Sequence, residues 1–570
     1  MQITRRKFLK DSAFAGLGAA VATGTLLSAP SILTRPRTSM DTTRGELVFQ
    51  PAFVQSGRGP HLLEWAYASD TRWDAFHSNI SSSAKEGVKI SDTEGTDKFG
   101  INVRWNVEGF GYIFITADNN GDFYELPGAG KTSTLNLNYE LASSRVARNR
   151  KRAKAFSSSG WIPSRESRGY MALSEQYLAD AKKALSNAQR CGELAQMSLF
   201  YAMQGSEMIE VEKAQFDILK RGFRPEFLMG CDARGVYEMH EDLFMDLFSQ
   251  LFDFATITYF WGKSGNIEEF EPAEGKTRYE MRDLAFKKLR KRNIAVEGRS
   301  ITWFHKWVTP EWLKNKTFDQ LKSYVEKHTR EMVAHYGEGM WGWEIVNEFH
   351  DWANEVQCTP EQTVELTKLA CEVARDTAPK VQRIINNCCP YAEYVQLKEW
   401  SGQPAKYRQR TPWQFMKDLS YAGVDYTAIG QQMYFPYRDL QDIAIFLERF
   451  EEFKKPLHLS EIGASAGPTE LTVKTKKKPG LPKEPYIWHR PWDEELQGDW
   501  IDGIYQISYS KPFIHGAHWF DFLDPFCYIE NGGILRTPQG EKKAGYDRLL
   551  RLRNQWKNLS VNKAGENSHG

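Results

Sequence analysis

From about residue 225 onward, short apolar runs alternate with amphipathic helical stretches. The runs lie at 227–231, 255–260, 294–303, 341–348, 381–387, 426–434, 457–463 and 516–522. Between them, 279–292, 318–336, 361–375, 440–454 and 494–510 carry helical periodicity. About eight strand–helix units in roughly 335 residues predict an α/β fold, a (β/α)₈ TIM barrel over 225–560. A doubly wound open sheet is the runner-up. It calls for a glycine-rich phosphate loop after its first strand. That position holds Gly230-Cys231-Asp232-Ala233-Arg234-Gly235, and the GxGxxG spacing is absent.

Upstream the pattern differs. Residues 45–150 are rich in β-formers. Tyr112-Ile113-Phe114-Ile115-Thr116-Ala117 runs into the turn Asp118-Asn119-Asn120-Gly121-Asp122, and Leu135-Asn136-Leu137-Asn138-Tyr139 alternates in the same way. The expectation is a β-sandwich-like module, structural or glycan-binding. Residues 151–224 are expected to form a helical connector. There Leu173, Tyr177, Ala181, Ala184, Ala188, Cys191, Ala195 and Leu199 recur at spacings of three and four, with Gly192 and Gly205 as interior breakers. The basic run from Arg145 to Arg152 reads as a solvated helix face or linker in preference to a polyanion site.

Composition narrows the partners. Lys+Arg total 74 and Asp+Glu 73, so charge gives no reason to expect nucleic acid or an anionic membrane. The 18 Trp, 24 Tyr and 33 Phe suit either stacking on sugar faces or large cores. Seven cysteines without a CxxC pair or Cys/His ladder point to no metal, and to buried free thiols more than to disulfides. At the start, Thr4-Arg5-Arg6-Lys7-Phe8-Leu9-Lys10 resembles a twin-arginine export signal, with an apolar small-residue stretch over 13–29. Residues 1–40 are therefore expected to be a leader read by the twin-arginine export machinery, making the protein periplasmic or secreted. Ser28-Ala29-Pro30 is a poor cleavage match, which leaves an uncleaved anchor open.

In such a barrel the chemistry lies where strands end. Strand four ends Val346-Asn347-Glu348, strand seven Leu459-Ser460-Glu461, and strand eight carries Trp519. Two carboxylates then face each other across the mouth. Glycoside hydrolysis needs that pair. One carboxyl is protonated and donates to the leaving oxygen; the other is ionised and attacks the anomeric carbon, with a separation of about 5–5.5 Å giving retention. Asn347 suits a donor to the sugar 2-hydroxyl.

Trp343-Glu344-Ile345-Val346-Asn347-Glu348 resembles the acid/base motif W-D-V-V-N-E of glycoside hydrolase family 10, the retaining xylanases. Leu459-Ser460-Glu461-Ile462 is similar to its nucleophile segment I-T-E-L-D. Ile429-Gly430-Gln431-Gln432-Met433-Tyr434 resembles I-G-x-Q-x-H on strand six, and Gly298-Arg299-Ser300-Ile301-Thr302-Trp303 resembles G-H-T-L-V-W on strand three. The likeness spans about 225–558, in the family's order. It implies Glu348 as acid/base and Glu461 as nucleophile, with no cofactor. Gln432, Tyr434, Trp303, His305 and Trp519 are implied near the sugar, Trp519 as its floor.

The departures bear on substrate. The family's T-x-E-N-x-x-K-W is replaced by Ala255-Thr256-Ile257-Thr258-Tyr259-Phe260-Trp261-Gly262-Lys263. Arg299 stands for a histidine, Tyr434 for the histidine that supports the nucleophile, and Asn386-Asn387-Cys388-Cys389 for N-D-Y-N. The expected partner is a β-linked polysaccharide or oligosaccharide, xylan or a related plant or algal glycan. Arg299 and Lys263 suit a decorated or charged one. A non-catalytic carbohydrate-binding protein on the same barrel is the alternative.

Overall fold

Strands that are buried on both faces must be apolar or small on both, and eight such segments form the core. They are Leu228–Asp232, Phe254–Thr258, Ala295–Arg299, Gly342–Asn347, Gln382–Asn387, Ala428–Tyr434, Leu457–Gly463 and Ile514–Trp519, called barrel strands one to eight. Each pairs in parallel with the next, and strand eight pairs back onto strand one, Gly516 opposite Leu228. The barrel is closed. Close approach fixes some residues: a Cβ on Gly298 would lie 2.1 Å from the Trp343 ring, so only glycine lets strands three and four meet there.

The structure, a computed structural model, describes residues 44–52, 66–83, 85–265, 267–400, 403–434, 436–467 and 487–566. The leader expected over 1–40 lies outside them. No helix among the described residues is long and apolar enough to cross a membrane.

Helices follow the strands. Phe318–Tyr336, Pro360–Thr377 and Pro412–Tyr421 each open on a reciprocal cap, Thr317 with Gln320, Thr359 with Gln362 and Thr411 with Gln414. In each, the threonine oxygen and the glutamine side chain satisfy two amides that would otherwise lack partners.

Two four-stranded sheets precede the barrel. One has the order Asn79–Ser83, Gly87–Asp92, Glu46–Gln50, Thr132–Asn136. The other has the order Ile487–Trp488, Gly111–Ala117, Gly100–Val107, Ala66–Ser69. The edge strand Ile487–Trp488 comes from the segment after barrel strand seven and pairs antiparallel with Gly111–Ala117. The alternation over 135–139 does not continue as strand: Asn136 caps the helix Leu137–Ser157, accepting from the Tyr139 amide. The stripe over 173–199 is likewise divided. Arg165–Lys183 and Ala188–Arg221 are separate helices, the second capped by Asn187, and Gly192 and Gly205 lie inside it without breaking it.

The basic run is not a solvated face. Arg145 Nη1 lies 2.6 Å from Asp439 Oδ2 and its Nη2 lies 3.0 Å from Asp442 Oδ1, all three side chains fully buried. Arg148 bridges Asp118 (3.0 Å) and Asp442 (3.3 Å), and Arg438 adds a third guanidinium on Asp442 (3.3 Å). Arg152 pairs with Glu210 and Glu448. Only paired charges survive such burial. The run thus welds the connector and the N-terminal sheet to the barrel helix Leu440–Glu448, and Arg150 alone pairs at the surface, with Glu175.

Candidate active site

A cavity of about 420 Å³ opens at the C-terminal ends of the strands. Glu348 and Glu461 both line it, so the two strand-end carboxylates do meet in one site. Of the other sequence-predicted residues, Asn347, Gln432, Tyr434, Trp303, His305, Arg299 and Lys263 line it as well.

Glu348 follows strand four immediately and holds a left-handed φ of 58°. For a residue with a Cβ this costs on the order of 1–3 kcal/mol, which surrounding contacts must offset. Its amide donates to the Asn386 carbonyl (2.8 Å) and its carbonyl accepts from the Ala353 amide (3.0 Å). Trp303 Nε1 donates to Oε2 and Gln432 Nε2 to Oε1, both at 2.9 Å. Both donors are neutral, and together they fix the orientation of the carboxyl.

Glu461 has a different setting. Asn386 Nδ2 donates to Oε1 (2.9 Å), Tyr434 Oη donates to Oε2 (2.6 Å), and Arg299 Nη1 stands 3.5 Å from Oε1. Burial, then the neighbouring Glu461, pushes the Tyr434 phenol well above its ordinary range, so it stays a donor. Glu461 thus has a guanidinium beside it in addition to two neutral donors.

Two predicted roles are corrected. Trp519 is not a sugar floor. It is 0% exposed, its indole N–H donates to the Gly532 carbonyl (3.1 Å), it packs against Trp500, and the adjacent Phe520 lines the cavity instead. Arg299 is not available to a glycan. It is 1% exposed, with Nε on Glu344 Oε1 (2.8 Å) and Nη2 on the Ser460 carbonyl (2.9 Å). Lys263 is exposed at the rim. Burial first, then Lys306, lowers His305 to about 3, so its ring is neutral; it stacks on Trp303 with centroids 4.9 Å apart.

Asn386 is the residue that strand-end reasoning undervalued. Its amide donates to Glu344 Oε1 (3.1 Å), Asn347 Oδ1 (3.1 Å) and Glu461 Oε1 (2.9 Å), while Ser460 Oγ donates to its Oδ1 (2.5 Å). A signal was present: Asn386 stands in strand five directly beside Asn347 of strand four. Cys388 and Cys389 follow strand five on the cavity wall, with Sγ atoms 3.4 Å apart, and none of the seven cysteines is in a disulfide. Cys389 and Cys527 are half-buried and the other five are buried. No cluster of three or more His, Cys, Asp or Glu among the described residues is arranged to hold a metal ion.

Residues 253–479 match the model of glycosyl hydrolase family 10. The chain is 25% identical over 171 residues to endo-1,4-beta-xylanase A of Phanerodontia chrysosporium, covering 29% of this chain and 38% of that protein. It is 22% identical over 272 residues to endo-1,4-beta-xylanase B of Thermotoga neapolitana, covering 46% of this chain and 66% of that one. The chain thus spans about a third to two thirds of the length of these relatives. Native xylanase 10B from Thermotoga maritima aligns over 58% of this chain and 97% of that chain, at 15% identity and a TM-score of 0.45.

Proposed function

We propose, from a barrel that belongs to glycosyl hydrolase family 10, that this protein is a glycoside hydrolase. It cleaves a β-linked polysaccharide, xylan or a related glycan, with retention of anomeric configuration. The reading rests on one observation: two strand-end carboxylates line one cavity, Glu348 held by the Trp303 indole and the Gln432 amide and Glu461 beside the Arg299 guanidinium.

The chemistry follows from those settings. Glu348 carries the proton and gives it to the glycosidic oxygen as that bond breaks. The Glu461 carboxylate attacks the anomeric carbon and forms a glycosyl-enzyme ester. Glu348, now ionised, takes a proton from water, which attacks the same carbon and releases the sugar and the Glu461 carboxylate. Tyr434 and Asn386 hold one Glu461 oxygen each, so the two lone pairs not aimed at sugar are occupied. Asn347 lies in reach of Gln432 and Asn386 and faces the cavity, where its amide suits the sugar 2-hydroxyl. A cavity of this size falls in the range of about 300–1,000 Å³ common to small-ligand sites.

The substrate need not be plain xylan. Lys263 is a cation at the rim, and Phe260, Trp303 and Trp307 offer aromatic faces beside it, a setting for a sugar bearing an acidic substituent. Export through the twin-arginine machinery belongs to the same proposal and is supported by Arg5 and Arg6 ahead of the apolar stretch.

The test is sugar release from xylan and a panel of other β-linked polysaccharides, neutral and acidic, by the native protein and by Glu461→Gln. Release that disappears in the variant supports the reading and names the substrate. Binding without release from any glycan would move the assignment to a carbohydrate-binding protein.

A further inference from the structure

Two cysteines stand side by side on the cavity wall. Cys388 and Cys389 follow strand five, both line the cavity, and the Cys388 thiol donates to Cys389 Sγ at 3.4 Å. Neighbouring side chains at a strand end point to opposite faces, so adjacency alone does not bring two sulfurs together. Cys389 breaks the alternation with a φ of 48°. Residues with a Cβ rarely adopt such a left-handed backbone, and a residue before proline, here Pro390, ordinarily stays extended. Such departures persist only where the surroundings impose them, and they cluster at working sites.

The surroundings are a chain of hydrogen bonds. The Cys388 amide donates to His350 Nε2 (3.2 Å), and Cys388 Sγ lies 3.6 Å from the same nitrogen. Burial lowers His350 to about 3, so its ring is neutral. Nε2 accepts, so Nδ1 carries the proton and donates to Tyr394 Oη (2.8 Å), which donates to the Arg410 carbonyl. Cys388 is thus held in place and is 5% exposed, while Cys389 is half-buried and the more accessible of the two.

We propose that Cys388 and Cys389 are a modification site, a dithiol that a disulfide of another molecule, a small thiol or a protein, oxidises to a vicinal disulfide on the cavity wall. Cys389 loses its proton to water and attacks the incoming disulfide. That S–S bond breaks, a mixed disulfide forms on Cys389, and one thiolate leaves and takes up a proton. Cys388 then loses its proton, and its sulfur attacks Cys389 Sγ and expels the second thiolate, which is protonated in turn. Two protein thiols have become one disulfide, and the incoming disulfide has become two thiols. The second step is intramolecular, between atoms 3.4 Å apart, so the mixed disulfide does not accumulate. Closure exchanges two S–H donors on the wall for a face without donors.

The ring reopens readily. Its Cα atoms stay about 3.8 Å apart across a trans peptide, short of the roughly 4.4–6.8 Å that disulfides usually span, and strained disulfides are the labile ones. The other five cysteines are worse placed. Cys191, Cys231, Cys358 and Cys371 are buried, and burial pushes Cys527, which also lines the cavity, up to about 12.

The experiment treats the full chain with glutathione disulfide at neutral pH, denatures it and alkylates it with iodoacetamide. Tryptic cleavage after Arg383 and Lys398 leaves both cysteines on one peptide. That peptide should be unalkylated and lighter by two hydrogens, and the count of alkylatable cysteines should fall from seven by two. Dithiothreitol should restore both. Cys388→Ser and Cys389→Ser should each abolish the lighter peptide, and Cys527→Ser should leave it. Full alkylation of both residues in the native chain, a glutathione adduct that persists on Cys389, or a bond from either to Cys527 would each overturn the proposal. None of these readouts requires turnover, so the disulfide stands or falls apart from the proposed function.

Discussion

The protein buries two charge clusters, and they are built to opposite rules. Where the N-terminal sheet and connector meet the barrel, Arg145, Arg148 and Arg438 face Asp118, Asp439 and Asp442, three cations against three anions. Under the cavity, Arg299 alone faces Glu297, Glu344 and Glu461. A balanced cluster recovers its desolvation cost through its own pairs and has no reason to exchange protons. An unbalanced one must hold a proton, or give one up, to survive burial. The contrast teaches that burial of charge does not by itself mark a working site; the surplus does.

That contrast can be broken in order of effect. Glu461→Gln should lower kcat by roughly 10⁴–10⁶-fold, as loss of a nucleophile does. The folded protein should melt no lower, because a surplus charge has gone; steady-state kinetics beside calorimetry decides both halves. Asp442→Asn should do the reverse. It leaves Arg145, Arg148 and Arg438 short of their shared partner, so stability should fall by about 3–5 kcal/mol, while kcat/KM of the fraction still folded changes little. Chemical denaturation with an active-site titration separates the two. Tyr434→Phe removes the hydroxyl that donates to Glu461 Oε2. A hydrogen bond to a charged group is worth about 1.5–3 kcal/mol, so kcat should drop about 10- to 150-fold with KM nearly unchanged.

The smallest effect is on pH stability. Burial raises Glu297 and Asp521 each to about 7. A carboxyl whose folded pKa lies above its unfolded value contributes stability that is complete below the unfolded pKa and lost as pH rises through the folded one. The melting temperature should therefore decline from about pH 4.5 to about pH 7 and then level off, apart from other groups. A melting temperature that rises across that window would mean these carboxyls are ionised in the folded protein.

Much of the barrel was legible because each of its strands is a short apolar run between helical patterns. Strand seven and the helices Phe318–Tyr336 and Glu494–Ser510 fall on the residues that periodicity marked. The helix Pro412–Tyr421 was overlooked, although Thr411, Pro412 and Gln414 spell out its cap. Trp519 was placed one residue off. Neighbouring side chains at a strand end point to opposite faces, so Phe520 took the cavity and Trp519 the core. The partners of Arg145 and Arg148 lie near residue 440, some 290 positions along the chain, and no local pattern encodes such a pairing. The same holds for Asn386, whose three acceptors come from strands four and seven.

The strand Ile487–Trp488 carries a consequence for biosynthesis. It completes the N-terminal sheet, yet it is translated after barrel strand seven. On the ribosome, Gly111–Ala117 emerges early and waits as an open sheet edge through more than 360 residues of further synthesis. An unpaired edge is a template for wrong partners. The sheet therefore cannot be completed before barrel strand seven has been made, and a chain halted before residue 487 leaves Gly111 and Tyr112 without that partner strand.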